Sequence, residues 1–76
     1  MQSNQLSPPT VSVLVNGAPR DVPAGTTIAV LLETLELDVR SVAVEINLEL
    51  VPRATHAQIE LRERDRVEVV SLVGGG

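Results

Sequence analysis

The sequence predicts an α+β domain in which a mixed β-sheet packs on one main helix. Apolar residues alternate singly at Val11, Val13 and Val15, and again at Val42, Val44 and Ile46, which is the period of a strand with one buried face. Between these stretches, Ile28, Leu31, Leu32 and Leu35 recur at the spacing of one helix face. The most apolar strands, residues 11–15 and 67–73, lie near opposite ends of the chain. A layered domain pairs them side by side at its centre with the helix on one face.

Each element has its own justification. Residues 1–9 are polar and end in Pro8-Pro9, so residues 1–10 read as a flexible extension. The first strand runs to Val15. Asn16-Gly17 then signals a hairpin turn, because both residues tolerate positive φ. The return strand is short, about 19–22, and Pro19 and Pro23 confine it to an edge. Gly25 suits the turn into the helix, expected over 27–36 with Thr27 as its cap. Residues 42–47 form the next strand. Residues 48–51 extend or pair, Pro52 stops them, and 53–57 read as a turn or short helical turn. Ile59 and Leu61 suggest a short strand, "RERDR" a charged turn, and 67–73 the last strand. The folded domain is thus 11–73, followed by a flexible glycine tail, 74–76. Strand, strand, helix, strand, short strand, strand is the order of the β-grasp, or ubiquitin-like, roll.

Composition narrows the function. A chain of 76 residues is one domain, and at this size it buries only about 60% of its unfolded surface. With no Trp, Tyr or Phe, the core is aliphatic. The lack of cysteine excludes a disulfide framework and thiolate chemistry, and a single histidine excludes a multi-histidine metal site. A formal net charge of −4 without aromatic residues argues against nucleic-acid binding. No apolar run approaches the roughly 20 residues of a membrane helix. The N-terminus lacks the charged and apolar regions of an export signal, so a cytoplasmic location is expected. No phosphate-binding loop, dinucleotide fingerprint or nucleophile elbow is present.

Few residues are candidates for chemistry. His56 has no nearby ligand or nucleophile and reads as structural or exposed. Glu60, Glu63, Asp65 and Glu68 alternate with Arg62, Arg64 and Arg66, a pattern of solvated charge with weak ion pairs; a partner footprint including Arg64 is the other reading. In the last strand, Val67 and Val69 face the core, so Val70 and Leu72 fall outside with Glu68. Two aliphatic side chains there suggest a docking patch; the alternative is a bulge that shifts the phase, since Ser71 otherwise takes a core position. Gly74, Gly75 and Gly76 have no Cβ and can thread a narrow slot. The tip then offers one reactive group, the Gly76 carboxylate, which becomes electrophilic once adenylated by ATP. The alternative is an end without function.

The stretches "VNG", "AGTTIAVLLETL", "VAVEINLELVPR" and "RDRVEVVSLVGGG", in this order, make residues 11–76 resemble the ThiS family of sulfur carriers. The resemblance implies a protein cosubstrate rather than an enzyme, with no bound cofactor. A ThiF-like adenylyltransferase uses ATP to adenylate Gly76. A persulfide sulfur, ultimately from a cysteine desulfurase, replaces AMP to give a Gly76 thiocarboxylate. A ThiG-like thiazole synthase accepts that sulfur for the thiazole of thiamin. Gly74 and Gly75 serve the threading tail, Val70, Leu72 and Arg64 the partner surface, and the free protein is a monomer. The sequence departs from the family in reading Glu63-Arg64-Asp65 where a glycine is frequent, in its extension, and in having His56 where an aromatic residue is sometimes found. A MoaD-like carrier for molybdopterin, a carrier for another sulfur product, a ubiquitin-like modifier and a plain interaction module are the competing readings. The stretch before the tail lacks the proline and aromatic residues usual in MoaD-like chains.

Overall fold

The computed structural model describes residues 9–72. The expectations of a flexible extension and a flexible glycine tail fall wholly or largely on residues outside that range. Five strands form one mixed sheet in the order β2-β1-β5-β3-β4, with one helix in the crossover.

Strand β1 (Thr10–Val15) begins one residue before the expected boundary and pairs antiparallel with β2 (Ala18–Pro23). The turn between them has Asn16 at φ 50 and Gly17 at φ 85. Two left-handed residues match the twist of the flanking strands. Val15 and Ala18 close this hairpin, so Pro19, Asp21 and Pro23 direct their backbone groups away from β1. Prolines thus occupy two of the three outward positions on this free edge, which leaves little for another strand to pair with.

Gly25, at φ 93, turns the chain into helix α1 (Ile28–Thr34). Thr27 caps it as expected, its Oγ1 accepting from Val30 N–H at 3.2 Å. The helix is shorter than the expected 27–36. Glu36 takes φ 61, and the N–H groups of Glu36 and Leu37 return to the carbonyls of Glu33 and Leu32. This pairing is a Schellman stop. It uses Glu, a good helix former, so nothing in the residue type announces it.

A 3₁₀ turn (Val39–Ser41) leads to β3 (Val42–Ile46), which pairs antiparallel with β4 (Glu49–Val51) through Asn47 and Leu48, both left-handed. Pro52 ends β4, and a second 3₁₀ turn (Arg53–Thr55) follows. The short strand expected at 59–61 does not form. Ile28 N–H donates to Ile59 O and Leu61 N–H to Thr26 O. The segment therefore pairs with the entry to the helix, away from the sheet, and leaves one bridge, Thr27 to Glu60.

The last strand, β5 (Arg66–Ser71), lies at the centre, parallel to β1 and antiparallel to β3. This is the expected pairing of the two chain-distant apolar strands. The core is aliphatic: Val13, Val22, Ile28, Leu31, Leu32, Val44, Leu61 and Val67 are buried, with Leu35 packed at its margin. Among the described residues, no helix is long and apolar enough to cross a membrane.

Candidate functional site

The register decides which face of β5 each residue takes. Val67 is fully buried and Val69 packs on the core margin. Val70 and Leu72 are 51% and 60% exposed. The pairing from Val42–Ser71 to Ile46–Val67 is unbroken, so no bulge shifts the phase. Ser71 avoids the core because the strand has run past it by that point, and the residue is exposed.

The C-terminal end of β5 is held on both sides. On the β1 side, Asn16 Oδ1 accepts from Val69 N–H at 2.7 Å and Asn16 Nδ2 donates to Val69 O at 3.3 Å. The side chain imitates one more residue of β1 after that strand has turned away. On the β3 side, Leu72 N–H donates to Ser41 O at 2.8 Å. The fold thus fixes the chain up to the residue before 73. Val73, Gly74, Gly75 and Gly76 lie outside the described residues. The sequence reading took Asn16 as a turn former only; no local pattern reveals its second role.

Arg64 is not brought to this end. It sits in the turn before β5, at φ 71, where its N–H donates to Ser12 O at 2.7 Å. The strand alone, from Arg66 to Val70, spans four steps, about 13 Å at the usual rise, and Arg64 lies beyond its start. The expected weak ion pairs of this charged stretch are absent too. Glu63 Oε1 accepts from Ser12 N–H, and Asp65 accepts from Arg62 N–H and Asn47 Nδ2. These carboxylates tie the loop to the sheet. The one ion pair among the described residues is Arg40–Asp38 at 3.3 Å, far along the chain from β5. The Arg40 hydrogen bonds hold the Asp38 carboxyl below its ordinary range.

Beside Val70, β3 places Ala43 directly opposite on the outer face, and β4 adds Leu50, 68% exposed. Leu48, in the adjoining turn, is also exposed. The sequence reading missed both leucines, although Leu50 stands one residue from Val51, whose packing on the core puts its neighbour outside.

His56 is buried, at 4% exposure. Its Nε2 lies 3.3 Å from Val51 O, and its Nδ1 has no partner among the described residues. It lines an open hollow of about 460 Å³ with Ala29, Leu32, Leu37 and Val39. No group of three or more His, Asp or Glu side chains converges to hold a metal among the described residues. What the described residues present is a last strand held on both sides up to Leu72, with the exposed side chains of Val70, Leu72 and Leu50 on and beside it.

Among the described residues, a mixed five-strand sheet on one helix, with a pinned last strand and exposed apolar side chains beside it, defines a β-grasp domain of the ubiquitin-like type. A model described as the ThiS family matches residues 13–76. The fold is similar to a crystal structure of a thiamine biosynthesis protein (ThiS) from Geobacter metallireducens, with TM-score 0.75 and 29% identity, over 87% of this chain and 100% of that one. The chain is 40% identical over 50 residues to the sulfur carrier protein ThiS of Bacillus subtilis, covering 66% of this chain and 76% of that one. It is also 41% identical over 66 residues to a thiazole synthase of Paramagnetospirillum magneticum, covering 87% of this chain. It spans only 20% of that synthase, and the same share of a second thiazole synthase from Magnetococcus marinus. The chain belongs to the ThiS family of sulfur carriers.

Proposed function

We propose that the Gly76 carboxylate carries sulfur for thiazole formation in thiamin biosynthesis. A carboxylate oxygen attacks the α-phosphorus of ATP, held by a ThiF-like adenylyltransferase, and pyrophosphate leaves. The terminal sulfur of a persulfide, supplied through a cysteine desulfurase, attacks the acyl carbon and AMP leaves. A thiol then cleaves the resulting acyl disulfide, leaving the thiocarboxylate and a disulfide. A ThiG-like thiazole synthase takes the sulfur. The chain acts as a cosubstrate, and ATP belongs to its partner.

The observation that carries this reading is a family match that runs through the glycines to residue 76. The thiazole synthases that share a stretch of similar sequence support the choice of acceptor. The structure supports the division of labour: β5 is anchored up to Leu72, and Val70 and Leu72 offer apolar surface beside the anchor. The chain also contains no lysine, so one activated copy finds no side-chain amine on another to acylate.

The test is the intact mass of the full chain after incubation with ATP, a persulfide donor and the ThiF-like enzyme of the same source. Replacement of one oxygen by sulfur, mapped to Gly76, is the expected result. An unchanged mass, when the same enzyme modifies another carrier, refutes the reading.

A further inference from the structure

The helix side of the sheet carries an open hollow that the proposed carrier chemistry does not use. Helix α1 supplies Ala29 and Leu32 to its wall. The chain after the helix supplies Leu37 and Val39, and the second 3₁₀ turn and its exit supply Ala54 and Ala57. Backbone bonds hold these walls in place: Leu37 N–H donates to Leu32 O, Ala29 N–H to His56 O, and His56 N–H to Arg53 O. Three short alanine side chains leave a space of about 460 Å³, and Glu33, Asp38 and Arg53 give it a charged rim. An apolar floor inside a polar rim is the layout of a protein interface.

His56 adds one polar atom to the apolar wall. Its Nε2 lies 3.3 Å from Val51 O. A carbonyl oxygen only accepts, so in the neutral ring this contact assigns the proton to Nε2 and leaves Nδ1 as an acceptor. The two nitrogens of an imidazole point in nearly opposite directions, so Nδ1 faces away from β4. The hollow takes no wall residue from β3 or β4 and lies on that same side. Nδ1 is buried and has no partner among the described residues, an unfavourable state for an acceptor. An occupant that covers the apolar wall and brings one N–H or O–H relieves it. Water brings the donor but leaves the wall uncovered. A second copy of this chain has no Trp, Tyr or Phe to insert. An indole is a flat apolar body with a single N–H and no acceptor, the complement of Nδ1. Tryptophan is also enriched among side chains that fill pockets at the centres of interfaces.

We propose that this hollow is a docking pocket for a tryptophan side chain of a partner protein, whose indole N–H donates to His56 Nδ1. Nδ1 is covered in the free chain, so seating the indole shifts the wall that covers it. The pocket lies on the helix side, and the exposed Val70 and Leu50 lie on the other, so the tryptophan and a partner on the outer face do not compete for surface. The inference does not depend on the sulfur-carrier reading, and its test uses this chain alone.

The isotope-labelled full chain is titrated by NMR with three probes: indole, benzofuran (the same shape with oxygen in place of the N–H) and N-acetyltryptophanamide. Indole and N-acetyltryptophanamide are expected to give saturable shifts at the amides of Ala29, Leu32, Val39 and Ala57, together with a move of the His56 Nδ1 resonance. Benzofuran is expected to bind about two- to tenfold more weakly, the effect of one missing hydrogen bond. His56→Phe removes the acceptor and fills the hollow, and is expected to abolish binding of all three. Ala54→Leu keeps the histidine but narrows the space, and is expected to weaken indole and benzofuran alike. Equal binding of indole and benzofuran to the wild-type chain, or indole binding retained in the Phe variant, overturns the hydrogen bond. A proton found on Nδ1 in the free chain overturns it as well. Shifts that do not saturate, or that scatter over the surface, overturn the pocket. Indole binding without N-acetyltryptophanamide binding marks a site for a free small molecule and overturns the choice of occupant. Binding seen only after removal of residues 1–8 overturns that choice too, in favour of the chain's own segment.

Discussion

Replacing His56 with phenylalanine is expected to stabilise the protein. The imidazole is buried, with Nδ1 unpartnered and Nε2 in a long contact of 3.3 Å to Val51 O. An unmade hydrogen bond on a buried group costs about 1–3 kcal/mol, and the long contact returns about 0.5–1 kcal/mol. Val51 stands opposite Val44, in phase with the Ile46–Glu49 pair that closes the hairpin. Its carbonyl therefore keeps its cross-strand bond when the histidine goes. The larger ring has room in the adjoining hollow of about 460 Å³, lined mainly by Ala, Leu and Val. The net gain is about 1 kcal/mol, or on the order of 4–8 °C in Tm for a domain of this size. With no native aromatic residue to report on unfolding, far-UV circular dichroism in urea is the assay, and an unchanged m-value shows that the two end states are the same. A phenylalanine variant less stable than wild type refutes the reasoning: Nδ1 is then satisfied in solution, or the hollow does not accept the ring.

Glu36→Gly and Arg64→Gly each remove a side chain from left-handed backbone, at φ 61 and φ 71, and each is expected to raise stability by about 0.5–1 kcal/mol in urea titrations; a loss in either places its side chain in a contact that outweighs the strain. Leu72→Glu is expected to leave Tm within the range of ordinary surface changes, about ±0.5 kcal/mol, and to weaken binding to the activating enzyme, whereas a large fall in Tm shows Leu72 to be core. Asn16→Ala is expected to deprotect Val69 N–H in hydrogen exchange, because its 2.7 Å acceptor is lost; unchanged protection refutes the clamp. The pH dependence follows from Asp38, whose carboxyl Arg40 holds below its ordinary range. That small contribution is present at neutral pH and is lost as pH falls below about 4 through the usual aspartate range, so Asp38→Asn is expected to flatten the stability profile there and nowhere else.

Much of the fold was legible because its signals are local. Single alternation marked β1 and β3, Asn16-Gly17 marked the hairpin, and the helix face from Ile28 to Leu35 marked α1. The same alternation placed Val67 inside and Val70 and Leu72 outside. What escaped depends on partners distant in sequence. Glu36, Leu48 and Arg64 take left-handed backbone because the chain around them is already committed, and their residue types give no warning. Ile59 and Leu61 have the composition of a strand, yet the helix entry takes their hydrogen bonds. Glu63 and Asp65 looked like halves of ion pairs and proved to be acceptors for backbone N–H groups. The opposition of Glu45 and Glu68 exists only once the register of β3 on β5 is known.

The position of β5 decides how firmly the fold holds its last described residues. A terminal strand at a sheet edge is hydrogen-bonded on one side only, and its last residues fray at little cost. Here the last strand is central, paired on both sides and anchored by the fully buried Val67. Asn16 carries the β1-side support on to Val69 after β1 itself has turned away, and Ser41 carries the β3-side support to Leu72. Fixing one residue's backbone costs about 1–2 kcal/mol, so three residues, 70 to 72, held in advance spare a partner about 3–6 kcal/mol of ordering. A partner that seats the sheet face therefore meets residues 70–72 already in place. Under the proposed carrier function, that pre-positioning is what the fold contributes.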